Sequence, residues 1–305
     1  MLGNSMDERC EVLIVGAGPA GIQAAIHASR RGVSVVITGR PSGSALAKGH
    51  IENYAFLPGK RSGEELLKIG LAQATGFGAR HIAEDVMALE TSREGFLARL
   101  ESGKTLGAGA VVLATGAARK RLGVPGEREL EGRGVSYCAD CDAGFFKKKR
   151  VVVVGEGSAA AGAALHLARF ASTVNLVAER LEVAPELVRQ LGEARVAVMT
   201  GRKVREILGR DAVEAVSLSD GSRLETDGVF IEKGARGVME LGASLGISLD
   251  ENGNVAVDRN QATAARGVFA AGDVTGPPWQ MAKAVGEGCV AGIRAAEHVR
   301  GGGGG

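Results

Sequence analysis

The sequence predicts an α/β fold of two doubly wound, Rossmann-like domains, the second inserted in the first, and three observations carry that reading. The stretch "CEVLIVGAGPAGIQAAIHASRRGVSVVITG" runs strand, glycine turn, helix, strand: an apolar run at 12–15, then Gly16, Gly18 and Gly21 as G-x-G-x-x-G, then a second strand at 33–38. "RVVVVGEGSAAAGAALHLARFASTVNLVAERL" repeats the plan, with Gly155, Gly157 and Ala160 at the fingerprint positions. On either side of that second copy, "AVVLATG" (110–116) and "VFAAGDV" (268–274) read as buried strands ending in turns, and both are needed to complete the first domain. The first domain therefore takes residues 1–116 and 240–305 and the second 117–239, with crossings near 117–120 and 237–242.

Each element has a local reason. The fingerprint glycines let the backbone approach a pyrophosphate, which then sits on the amide-rich start of the following helix. "FLARLESGKTL" and "AVEAVSLSDGSRLE", the latter turning at Asp220-Gly221, alternate like strands and are expected as small sheet insertions, one on each domain. The closing glycines, 301–305, are expected to form a frayed tail.

A chain of 305 residues that is 45% hydrophobic suffices for two cores. Its 47 glycines follow no G-X-Y period, which suits repeated tight strand-to-helix turns and excludes collagen. A net charge of +2 is too small to argue for nucleic acid, and no apolar run is long enough to cross a bilayer. The start, "MLGNSMDERC", has no apolar signal core, so the expected location is the cytoplasm. With four cysteines in that setting, two of them in C-x-x-C, redox or metal chemistry is expected rather than structural bridges.

That motif is "SYCADCD", 136–142, in which Asp142 follows the second cysteine. Only a thiolate exchanges with a disulfide, so an attacking sulfur needs a lowered pKa, which C-x-x-C at a helix start supplies; a nearby carboxylate can shuttle the proton. A structural zinc would need two further ligands, and only Cys10, Cys289 and scattered histidines remain, so no metal is expected. Cys10, before the first strand, and Cys289, in the apolar last helix, read as buried packing residues. The five histidines, His27 and His166 among them, show no catalytic spacing.

These residues together resemble the low-molecular-weight thioredoxin reductase family of flavoproteins, nearly end to end. "GAGPAG", "IENY" (51–54), "LATGA", "GVPGE", "SYCADCD", a second G-x-G-x-x-A, "GVFAAGDV" and "GEGC" occur in the family's order. The resemblance implies FAD. Gly16, Gly18, Pro19, Ala20 and Gly21 would lie at its pyrophosphate, Ala114, Thr115 and Gly116 would line it, and Gly272 and Asp273 would meet its ribityl chain. It also implies cofactor-binding positions at Gly39, Arg40, Ala45, Leu46, Asn53, Val86, Gln280, Met281 and Ala282. Cys138 becomes the sulfur that attacks the partner, Cys141 the flavin-facing thiol and Asp142 the acid that manages the thiol proton. The family's Gly after C-x-x-C-D is here Ala143. Trp279, the chain's only tryptophan, stands where the family has an Arg; stacking on the flavin and filling a domain or dimer interface both remain open.

The second nucleotide fold departs from the family where nicotinamide chemistry sits. The triplet and later Arg that hold a 2′-phosphate are Ala178, Glu179, Arg180 and Ala184, so NADPH meets a carboxylate. Glu179 could bind a ribose hydroxyl of NADH instead. Glu156 adds a negative charge inside the fingerprint, the acidic residue of the following helix is replaced by Gly162 or Ala163, and a Gly-x-x-Pro-Asn loop has become "GARG" (234–237). Taken together these read as an abandoned pyridine-nucleotide site. The expected activity is therefore a homodimeric FAD disulfide reductase fed by reduced ferredoxin and acting on a thioredoxin-like protein. "RKR" (119–121) and "KKKR" (147–150) suit an acidic donor, or are simply solvated turns. The alternatives are a dithiol oxidase using oxygen, an NADH-linked reductase, a protein with a second flavin in the emptied site, and a non-catalytic flavin-binding protein.

Overall fold

The computed structural model describes residues 8–116, 121–233 and 241–301; these gather into two compact units, one holding the described residues up to 116 and from 241, the other 121–233. The expected crossings fall almost wholly outside the described residues, as does the "GARG" loop.

In the first unit, strand Glu8–Val15 pairs in parallel with Val35–Thr38 on one side and Thr105–Leu113 on the other, and Arg80–Ile82 extends the sheet beyond Val35–Thr38. Val12 and Ile14 enter one core, shared with helices Pro19–Ser29 and Met281–Arg300, while Leu13 and Val15 enter the opposite core with Val86, Leu89 and Leu241. Burial of both faces is why the run is apolar without alternation. The two helices meet closely. A Cβ on Gly288 would lie 2.2 Å from Ala20 O, and one on Gly292 2.2 Å from Ala24 O, so two glycines four residues apart let one helix lie on the backbone of the other.

The hairpin containing "FLARLESGKTL" is not a separate insertion. Thr105–Leu113 is one nine-residue strand: its first half pairs antiparallel with Gly95–Leu100, which pairs with Val86–Ser92, and its second half pairs in parallel with Val268–Ala270. A strand longer than its parallel partner leaves half its edge unpaired, and the hairpin covers that edge. The segment 268–274 is correspondingly shorter as a strand than expected. It stops at Ala270, and Gly272, at φ +88°, turns the chain into Asp273–Thr275.

Beside this sheet the side chain of Glu101, wholly buried, accepts two bonds from Arg40, at 2.5 and 2.9 Å, and one from the amide of Asp85 at 2.9 Å. The bond to Glu101 raises the guanidinium pKa above its ordinary range. Arg40→Met strands a buried carboxylate, a loss of about 3–5 kcal/mol. At about 2–4 °C per kcal/mol, thermal unfolding is expected roughly 10 °C lower; an unchanged midpoint would mean that the pair contributes nothing net.

The second unit has the parallel order Ala197–Met199, Thr173–Val177, Arg150–Val154, Gly228–Ile231, Val135–Ser136. From Arg150–Val154 the chain first builds to one side and later returns to the other, so the topological switch point lies between the ends of Arg150–Val154 and Gly228–Ile231. Here the insertion is a sheet of its own, Val204–Leu208, Ala215–Leu218 and Arg223–Glu225, all antiparallel.

Candidate functional site

The first fingerprint forms a cradle at the switch point of its sheet. Gly16 follows Val15 at φ +116°, and a Cβ there would lie 2.2 Å from Ala114 O, so only glycine lets the turn pass the end of the neighbouring strand. Gly18 caps helix Pro19–Ser29 without any side-chain bond, Pro19 opens the helix, and Ala20 and Gly21 are buried in its first turn. The start of the helix is thus left to an anion. Gly39 packs on Ala17 and Gly272 on Ala20. Thr115, next to Ala114, carries a buried hydroxyl with no hydrogen-bond partner. A strained glycine turn, an uncapped helix and an orphaned hydroxyl at one switch point fit the pyrophosphate and sugar of a dinucleotide-type cofactor.

Asn53 donates to Gln280 Oε1 at 3.0 Å, which joins the 52–60 loop to the cap of helix Met281–Arg300, where Met281 and Ala282 begin. Ala45 and Leu46 lie in the turn Ala45–Lys48, capped by Ser44. Gly116 follows Thr115 at φ +81°. Two of the expected contact residues also have partners within the protein: the Arg40 guanidinium is held by Glu101, and the Val86 side chain is part of the core. Trp279 is 64% exposed. Sequence reasoning missed Lys283. It donates to Gly272 O, Thr275 Oγ1 and Glu287 Oε2 at 2.8–3.1 Å, while Glu287 accepts the Gly272 amide, so the turn carrying Asp273 is clamped from the last helix. The i,i+4 spacing of Lys283 and Glu287 was its only signal.

In the second unit Cys138 and Cys141 are joined as a disulfide. Cys138 caps the short helix Ala139–Asp142 and its sulfur accepts the Cys141 amide at 3.2 Å. Within this unit Cys141 is exposed and Cys138 half-buried. Ser136, buried at the end of its strand, donates to Asp142 Oδ2 at 2.7 Å and accepts the Cys138 amide at 3.1 Å, so one hydroxyl fixes both the acid and the cysteine. Tyr137 donates to Glu127 at 2.7 Å; burial, then this carboxylate, pushes its pKa upward.

Three side chains around the motif were not singled out as functional in the sequence. Glu232, 7% exposed, accepts the Ala139 amide at 3.0 Å. His166 Nδ1 lies 3.7 Å from Asp140 Oδ1, which puts a histidine that showed no catalytic spacing in the sequence beside the redox motif. Glu232 had one signal, a carboxylate directly after the buried run 228–231. His166 and Asp140 had none. The other cysteines stand apart: Cys10 is buried, which pushes its thiol up to about 12, and Cys289 is half-buried rather than buried, because the face beside Gly288 turns it off the core.

Two glutamates border the nucleotide crevice of this unit. Glu156 occupies the fingerprint turn and Glu232 follows the strand across the switch point, its amide bonded to Val154 O. Glu179 pairs with Lys203 at 2.8 Å and Arg180 with Glu182 at 2.6 Å, so the side chains after strand Thr173–Val177 neutralise one another. No helix among the described residues is long and apolar enough to cross a membrane.

Residues 10–288 match the model of the family described as pyridine nucleotide-disulphide oxidoreductase. A thioredoxin reductase of Listeria innocua is 37% identical over 303 residues, 95% of this chain and 93% of the relative. Among solved structures, the atypical thioredoxin reductase of Desulfovibrio vulgaris Hildenborough superposes with TM-score 0.75 at 35% identity, covering 96% of this chain and 99% of that one. A ferredoxin-flavin thioredoxin reductase from Clostridium acetobutylicum follows with TM-score 0.67, 33% identity and the same coverage.

Proposed function

Since this chain belongs to the pyridine nucleotide-disulphide oxidoreductase family and is a flavin-dependent disulfide oxidoreductase of the thioredoxin reductase kind, we propose that it takes electrons from reduced ferredoxin rather than a nicotinamide and delivers them to the disulfide of thioredoxin or a similar protein. The observation that carries the donor reading is the carboxylate in the second fingerprint. Glu156 stands in the turn just before helix Ser158–Leu167, where the switch point would receive the phosphates of a dinucleotide, and their repulsion disfavours either nicotinamide. Likeness to a ferredoxin-flavin thioredoxin reductase supports the same choice.

FAD, when bound, supplies the exchange between a one-electron donor and a two-electron disulfide. Gly16, Gly18 and Gly21 would hold its pyrophosphate at the start of helix Pro19–Ser29, with the Thr115 hydroxyl offered to its sugar and Asp273 on the turn after Gly272. Opening the Cys138–Cys141 bond takes two electrons and two protons and leaves two thiols. The Cys138 thiolate attacks one sulfur of the partner disulfide and expels the other, and a mixed disulfide forms. Cys141, deprotonated in turn, attacks the Cys138 sulfur, releases the partner as a dithiol and restores the internal disulfide. Asp142, held by Ser136, is placed to move the thiol proton. The two units serve as the FAD-binding and disulfide-bearing domains, and a cytoplasmic homodimer completes the proposal.

Anaerobic titration tests the donor, with the flavin's visible absorption followed on separate additions of NADPH, NADH and photoreduced ferredoxin. Bleaching by ferredoxin alone, reversed by oxidised thioredoxin, is the expected result. Rapid bleaching by either nicotinamide would overturn it.

A further inference from the structure

The turn at 272–275 leaves the first sheet beside the cofactor cradle. The Ala271 amide donates to Leu113 O at 3.0 Å, and a Cβ on Gly272 would lie 2.8 Å from the Cβ of Ala20, in the first turn of helix Pro19–Ser29. Both ends of this turn are fastened to one pair of side chains. Lys283 Nζ donates to Gly272 O at 2.9 Å and to Thr275 Oγ1 at 2.8 Å, and lies 3.1 Å from Glu287 Oε2. The same carboxylate oxygen accepts the Gly272 amide at 2.8 Å and lies 2.9 Å from Thr275 Oγ1. Asp273 stands between the two fastened ends.

Neither helix formation nor an ordinary surface pair gives a reason for this lysine. It is the third residue of helix Met281–Arg300, in a first turn that holds no acidic residue, and a cation there opposes the helix macrodipole. Its side chain is only 15% exposed and that of Glu287 19%, and three acceptors meet its three donors. We propose that Lys283, with Glu287 as its counter-charge, is a positioning residue for FAD that holds the turn at 272–275 in the shape presenting Asp273 to the cofactor. Rotatable donors on a flexible stem suit an ammonium to this task. Without them the turn has more conformations to choose from, and FAD must order it on binding. This rests on the reading of Asp273 as a contact of the ribityl chain and not on the identity of the donor, so failure of ferredoxin in the titration would leave it standing.

Four full-length proteins make the test: wild type, Lys283→Met, Asp273→Ala and the double variant. Methionine keeps most of the apolar stem of lysine and removes the ammonium. Each holoenzyme is dialysed to equilibrium against graded concentrations of FAD, and the flavin retained is read from its fluorescence after denaturation. Affinity for the cofactor is thus measured without any turnover.

Lys283→Met is expected to bind FAD about tenfold more weakly than wild type, the scale of one lost hydrogen bond from a charged group. In the Asp273→Ala background the same substitution is expected to weaken binding by less than about twofold, because the clamp then has nothing left to place. Wild-type affinity in Lys283→Met would overturn the proposal. So would an equal loss in both backgrounds, which is what a general loosening of the unit produces. Undiminished affinity in Asp273→Ala would remove that residue from the cofactor site and the proposal with it, an outcome distinct from failure of the clamp alone. If Lys283→Met does not fold, Thr275→Val carries the test: it deletes the hydroxyl that Lys283 meets at nearly unchanged size, and is expected to weaken FAD binding about threefold, again only where Asp273 is present. Unchanged affinity in that variant would overturn the proposal equally.

Discussion

Cys141→Ser is expected to abolish turnover, by at least about a thousandfold, while converting the protein into a trap for its partner. The remaining thiol, Cys138, can still attack a partner disulfide, but nothing is left to displace it, so the mixed disulfide persists. Cys138→Ser loses as much activity and is expected to trap nothing. Incubating each variant with oxidised thioredoxin and separating the products on a non-reducing gel distinguishes them. The comparison also fixes which sulfur faces the substrate, a matter on which burial alone would favour Cys141, the more exposed of the two within its unit. Trapping by Cys138→Ser and not by Cys141→Ser would reverse the assigned roles. Trapping by neither would remove direct attack on a protein disulfide from the mechanism.

The second large effect is expected from one methyl group. Gly16→Ala would place a Cβ 2.2 Å from the carbonyl oxygen of Ala114, at a φ of +116° that side chains rarely adopt. Both neighbours are backbone at the ends of paired strands, bound by the Ala114 amide to Val15 O at 2.8 Å, so neither can retreat without opening the sheet. Overpacking and backbone strain together cost at least about 3 kcal/mol. Because the same turn forms the cradle, the purified variant is expected to contain little flavin and to unfold at a lower temperature. Flavin content from the visible spectrum after denaturation, with the thermal midpoint measured in excess FAD, separates the two losses. A variant that keeps both its flavin and its midpoint would show that the turn can be rebuilt around a side chain, and that the cofactor site lies elsewhere.

Much of this protein was legible in the residues alone, because the signals are local. An apolar run followed by G-x-G-x-x-G dictates a buried strand, a turn that needs an unhindered backbone and a helix start, whatever surrounds them. Two such copies flanked by 110–116 and 268–274 therefore determined two Rossmann-like folds, and the spacing of Cys138, Cys141 and Asp142 determined the chemistry to look for. What the tertiary structure alone decided involves residues far apart in sequence. Glu232 meets Ala139 across 93 positions and Arg40 meets Glu101 across 61, in pairings that exist only because particular strand ends are brought side by side. The hairpin at 86–100 joins the main sheet for the same reason: alternation predicts a strand but not the edge it will find, and that edge was left open by the length of Thr105–Leu113. Periodicity records which side of an element is buried; it carries no information about which distant charge is buried with it, and so the acid beside the disulfide came to light only in the folded chain.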